Sequence, residues 1–274
     1  MGVLSSSYCF VTSLPSKAYR FCFLPAELTR TGYPNFDQVS LATDEKMQKT
    51  ICAPAAALNA VYHINNEQKF LPDFKADDKE YARKTMQDLA TALNTREAGS
   101  TDPLGPGTTP EEVIKGIPKF FEKFGKKLKF WDWRGWGAGQ VESGTIDKAP
   151  RFNWIAKHLK NTHREVLLHV GMYKKIAEHK FKRVFGHFVT ATGFKKKNLE
   201  IKINDPSPRA NDLSKPDAAR PEKILKTKIM TEGTLESGDK NTSAYGYNQL
   251  EGMDLNTDVG AEIAVIDGAY AFEV

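Results

Sequence analysis

No run of apolar residues in this chain approaches the ~18 that a membrane-spanning helix requires. No basic segment followed by an apolar stretch opens the chain, so no signal peptide is visible. Cysteine is scarce, with three among 274 residues and no CxxC pair, and no internal repeat is apparent. Charge of one sign is also limited: the net charge is +5, and much of the excess sits in short runs such as Lys126-Lys127 and Lys195-Lys196-Lys197. Such runs belong to solvated turns rather than to a nucleic-acid groove, so no nucleic-acid partner and no membrane span are expected. What is present is 40% hydrophobic and 27% charged residues, the profile of a globular chain forming one large domain or two small ones.

The odd cysteine count points to one thiol with a separate task. Residues 7–24 alternate like a hairpin around Leu14-Pro15-Ser16-Lys17, which would set Cys9 opposite Cys22 at disulfide-compatible spacing. A disulfide there implies an oxidising, secreted or cell-envelope location. Two reduced cysteines on an apolar strand face is the other reading, and both stand at this level. Cys52 is left unpaired in either case.

The order of elements reads as a β arm over 1–30, then helices, then strands. Helices are predicted over about 52–63, 77–93, 110–124 and 151–161, and strands over 165–173, 187–194 and 198–204. A polar linker follows from Pro206 to about Pro221, and a C-terminal hairpin is expected to turn at Asp267-Gly268. Segregated helices and strands argue an α+β class.

Cys52 opens an alanine-rich helix (Ala53, Ala55, Ala56, Ala57, Ala60), with Pro54 in its first turn. The helix dipole and the free backbone N–H groups there favour a thiolate, the nucleophilic form of cysteine. A hairpin centred on Lys196 would set Val189 opposite Ile203 and His187 opposite Asp205. One face then carries His187, Val189, Ala191, Leu199, Ile201, Ile203 and Asp205, and the other carries Phe188, Thr190, Thr192, Glu200, Lys202 and Asn204. The apolar face turns inward and takes the histidine and the aspartate with it. A buried imidazole beside a carboxylate is oriented to act as base toward a thiol. His158, His163, His169 and His179 have no aligned acidic partner. His163 to His169 reads H-x-E-x-x-x-H rather than H-E-x-x-H, so no metal and no cofactor are expected.

Several stretches together resemble the papain-like cysteine peptidase superfamily, in its bacterial double-glycine (bacteriocin leader) peptidase-like branch. They are Tyr33-Pro34-Asn35-Phe36-Asp37-Gln38, Cys52-Ala53-Pro54-Ala55-Ala56, Gly186-His187-Phe188-Val189 and Asn204-Asp205-Pro206. The resemblance spans roughly 31–206, with 207–274 as a C-terminal β extension of a domain over 31–274. It implies a papain-like fold whose helical half carries the cysteine and whose antiparallel sheet half carries histidine and aspartate. It implies a Cys52, His187 and Asp205 triad cleaving a peptide or protein substrate through a thioester, with Gln38, or alternatively Gln48, donating to the oxyanion. Ala53 departs from the glycine common at that position. Two other readings remain: amidase or transglutaminase-type transfer on the same site, or an inactive scaffold binding peptide or glycan through Trp131, Trp133 and Trp136.

Overall fold

The computed structural model describes residues 24–42, 44–72, 78–136, 145–146, 148–207 and 222–274. The Cys9–Cys22 hairpin and most of the polar stretch after Pro206 lie outside these residues. In chain order the described elements are β1 (Glu27–Thr29), α1 (Gln38–Leu41), α2 (Glu45–Gln48), α3 (Cys52–Gln68), α4 (Lys79–Ala92), α5 (Pro110–Glu122), β2 (Phe130–Gly135), β3 (Thr145–Ile146), α6 (Phe152–Lys160), β4 (Arg164–Ala177), β5 (Lys180–Lys195), β6 (Glu200–Asn204), β7 (Lys223–Ile229), β8 (Thr234–Ser237), β9 (Lys240–Ser243), β10 (Asn248–Glu251) and β11 (Ile263–Glu273).

The expectation of a papain-like α+β arrangement with a helical half and a sheet half is overturned. Antiparallel pairing runs β4–β5–β6–β7–β10–β11 and returns from β11 to β4, closing a six-stranded barrel. Further strands add to it: β1 and β8 pair with β5, and β2 pairs with β11. The arrangement is mostly β, with six α-helices among the described residues. Closure depends on β7, β10 and β11, so residues after 222 supply half of the barrel. The expected hairpin at Asp267-Gly268 is instead a register shift inside the unbroken β11.

Alternation assigns the two sides of the barrel wall. Val166, Leu168 and Val170 of β4 join Val189 and Ala191 of β5 and Ile201 and Ile203 of β6 in one core, with α6. A six-stranded barrel is narrow enough for such side chains to fill. Leu167 and Phe188 face the other way, into a core shared with α3, α4 and α5. A register shift between Ala191 and Gly193 changes the parity, so Phe194 rather than Gly193 continues the inner row.

The helices follow their sequence signals. Thr109 and Glu112 form a capping box at the start of α5, with Pro110 in its first turn. Arg96 makes an ion pair with the same Glu112. Alanines let α3 lie close to the barrel, where the Thr190 hydroxyl donates to Ala56 O at 2.7 Å. On the same side, buried Glu165 accepts from the Tyr33 hydroxyl at 2.6 Å, lies 2.7 Å from His63 Nδ1 and pairs with Arg30. This network ties the segment after β1 to α3 and β4. Among the described residues, no helix is long and apolar enough to cross a membrane.

Candidate active site

Three elements converge on Cys52. The residue is the first of α3, and Ile51 before it makes no side-chain cap, so the N–H groups of the first turn are not consumed by a capping side chain. His187 stands on β5, opposite Val170 of β4. Asp205 follows the last residue of β6. His187 Nε2 lies 2.7 Å from Asp205 Oδ1. The same carboxylate oxygen accepts from Ser207 N–H at 2.9 Å. The imidazole also hydrogen-bonds Cys52, and with Nε2 committed to the aspartate, Nδ1 is the nitrogen left for the sulfur.

Burial alone would favour neutral groups here, yet charge prevails at all three residues. At Cys52, burial pushes the thiol up, but the hydrogen bond and charge of His187, with backbone hydrogen bonds from Phe188 and Ala53, bring it below its usual value. At His187, burial works against the cation, while the charge and hydrogen bond of Asp205, then those of Cys52, raise it to about 10. Asp205 is held below the ordinary carboxylate range against its own burial, chiefly by His187. All three shifts favour a thiolate–imidazolium pair backed by a carboxylate.

Gln38 borders the same cavity, of about 470 Å³, together with Cys52, His187 and Asp205. Three tethers fix it. Its own N–H donates to Pro206 O at 2.9 Å, beside Asp205. Its side-chain Nε2 donates to Gln48 O at 2.6 Å. Two residues earlier, Phe36 N–H donates to Asn59 Oδ1 at 2.7 Å and Phe36 O accepts from Asn59 Nδ2 at 3.1 Å, which pins the loop to α3. An amide nitrogen carries two protons, so one remains after the bond to Gln48. Gln48 itself does not border this cavity and contributes its backbone carbonyl.

Sequence reasoning placed His187 and Asp205 together on a register that the structure alters. Ala191, not Val189, stands opposite Ile203, and Thr190 stands opposite Asn204. The slip is two residues, so both side chains keep a common face. The expected polar outer face is also buried: Thr190 meets α3, and Lys202 reaches Thr29, Glu27 and Glu222. Asn59 was missed; a lone amide among alanines was its signal. The sequence aligns no acidic partner with His169, but Asp267 Oδ1 lies 2.8 Å from its Nδ1. A single carboxylate inside the apolar run from Ile263 to Phe272 was the sign of that partner. Trp133 and Trp136 are buried in two different cores, so they do not form an exposed stacking surface.

A scan against protein-family models and a search of curated proteins both return no match for this chain.

Proposed function

We propose that this chain is a cysteine hydrolase that cleaves a peptide or amide bond of a peptide or protein substrate. The observation that carries the reading is the His187 ring shared between Cys52 and Asp205. The order of motifs that resembles the double-glycine peptidase-like branch supports the same chemistry.

In the first step the Cys52 thiolate attacks the carbonyl carbon, and the electron pair of the C=O bond moves to oxygen. The oxyanion is met by the Cys52 backbone N–H, unused by the helix, and by the second Nε2 proton of Gln38. The C–N bond then breaks as His187 gives its proton to the departing amine, leaving a thioester. Water attacks the thioester while His187 takes back a proton, which releases a carboxylic acid and regenerates the thiolate. Asp205 holds the ring in the tautomer that both proton transfers require.

The test is labelling by a thiol-directed electrophile with mass mapping of the modified residue, alongside turnover of an internally quenched peptide library. Modification of Cys52 far faster than free cysteine near neutral pH is expected, with turnover abolished in Cys52→Ala. Reactivity no greater than that of free cysteine would sink the reading. Adding primary amines to the same assay separates hydrolysis from transfer, because a transferase forms the new amide in preference to the acid.

A further inference from the structure

Cys52 also borders a second cavity, of about 340 Å³, whose wall includes His169, Arg183, Phe185 and Gly186. Behind that wall lies a charge cluster that the proposed chemistry does not use. Asp267 is buried, with His169 Nδ1 at 2.8 Å, Arg183 Nε at 3.1 Å and the Tyr173 hydroxyl donating at 2.8 Å. Arg183 Nη2 lies 2.7 Å from His169 Nε2. A guanidinium can only donate, so His169 accepts there and carries its proton on Nδ1, toward Asp267. The ring is therefore neutral, in keeping with its depressed pKa, for which burial is the largest cause.

The fold makes room for this cluster at two facing glycines. Gly171 and Gly186 stand opposite each other on β4 and β5. A Cβ at Gly171 would fall 2.1 Å from Asp267 Oδ2, and one at Gly186 would fall 2.2 Å from Arg183 Nη2. The guanidinium thus lies across the residue that precedes His187. Arg183 keeps 22% of its side chain exposed, and its Nη1 makes no hydrogen bond among the described residues. Among the described residues no acidic side chain borders the cavity, whereas Lys49, Arg96 and Arg183 do; Arg96 is committed to Glu112 and Lys49 lies 3.9 Å from Glu45, which leaves the Nη1 of Arg183 for a ligand.

We propose that Arg183 is a specificity-determining residue that receives a substrate carboxylate in the cavity beside Cys52. Asp267 and His169 hold the guanidinium in place, and Nη1 is the donor presented to the ligand. The carboxylate is either an acidic side chain near the scissile bond or a chain terminus. The inference rests on the hydrolase reading for the position of the bond, and it can fail separately from that reading.

The test measures binding of fluorescent peptides by anisotropy to the full-length Cys52→Ala protein. The peptides are end-capped Glu and Gln twins, with a third set bearing a free C-terminal acid. A charge-assisted hydrogen bond should make the preferred acid bind about tenfold more tightly than its neutral twin. That margin should vanish in Cys52→Ala/Arg183→Gln and persist in part in Cys52→Ala/Arg183→Lys. Preference for Glu over Gln assigns the side chain, and preference for the free acid alone assigns the chain end. Equal binding of all three sets, or binding of none, overturns the proposal whether or not the Arg183 variants fold. Turnover by the Cys52 protein is read in parallel. Cleavage without acid preference leaves the hydrolase and removes the subsite, while acid-selective binding without cleavage does the reverse.

Discussion

Asp205→Asn removes one negative charge from the site and little else. In the folded protein His187 titrates at about 10 instead of 6.5, and Asp205 is the largest contribution opposing the burial that would otherwise discharge it. The imidazolium therefore stabilises the fold fully below pH ~6.5 and is lost as pH rises through about 10. Asp205, whose pKa is lowered from 3.8, stabilises above that value and stops doing so as pH falls through its folded pKa. Without the carboxylate, burial prevails, His187 sheds its proton, and the thiol loses the cation that held it down. If Cys52 returns to its ordinary value of 9.0, about one thiol in a hundred is ionised at pH 7. The thiolate that remains is intrinsically more reactive, which offsets part of the loss. Alkylation of Cys52 by iodoacetamide near neutral pH should slow roughly ten- to hundredfold, with the midpoint of the rate–pH curve moved upward. The rate should be followed on the peptide containing Cys52, so that Cys9 and Cys22 do not contribute. Stability should fall by only about 1–3 kcal/mol, because neutral His187 keeps a hydrogen bond to the amide. Superimposable rate–pH curves for the two proteins, with the variant folded by circular dichroism, would refute the ion-pair reasoning.

Gln38→Ala should lower kcat about 10²- to 10³-fold with little change in KM, the cost of one oxyanion donor, whereas Gln48→Ala should leave kcat near the parent value because only its carbonyl serves the site. Equal losses in the two variants would reassign the donor. Asn59→Ala strands the part-buried N–H and C=O of Phe36 and should cost about 2–6 kcal/mol in urea unfolding, at roughly 1–3 kcal/mol for each group left unpaired. It should also lower kcat by loosening the loop that carries Gln38; an unchanged midpoint and unchanged kcat would show that the loop is held by other means.

Residue chemistry alone marked out Cys52, since a cysteine ahead of alanines and Pro54 at a helix start can be read from local propensity. It also put His187 and Asp205 on one face, and that conclusion survived an incorrect register because the slip was an even number of residues. A one-residue slip would have separated them. The start of α5 was legible as well, because its capping box lies within four consecutive residues.

Local pattern stops where partners are distant in the chain. Nothing in the periodicity of Ile263–Glu273 says that it pairs with Arg164–Ala177, yet that pairing closes the barrel and replaces the expected papain-like halves. Asp267-Gly268 has the composition of a turn, but inside a continuous strand the carboxylate accepts from the Tyr173 hydroxyl and lies within ion-pair distance of His169 and Arg183, and tertiary contact overrides turn propensity. The chain itself determined which residues can ionise, donate and turn, because those are properties of side chains and nearest neighbours. Only the tertiary structure decided which of them meet, because closing a barrel and burying a charge depend on groups that burial brings together across a hundred residues of chain.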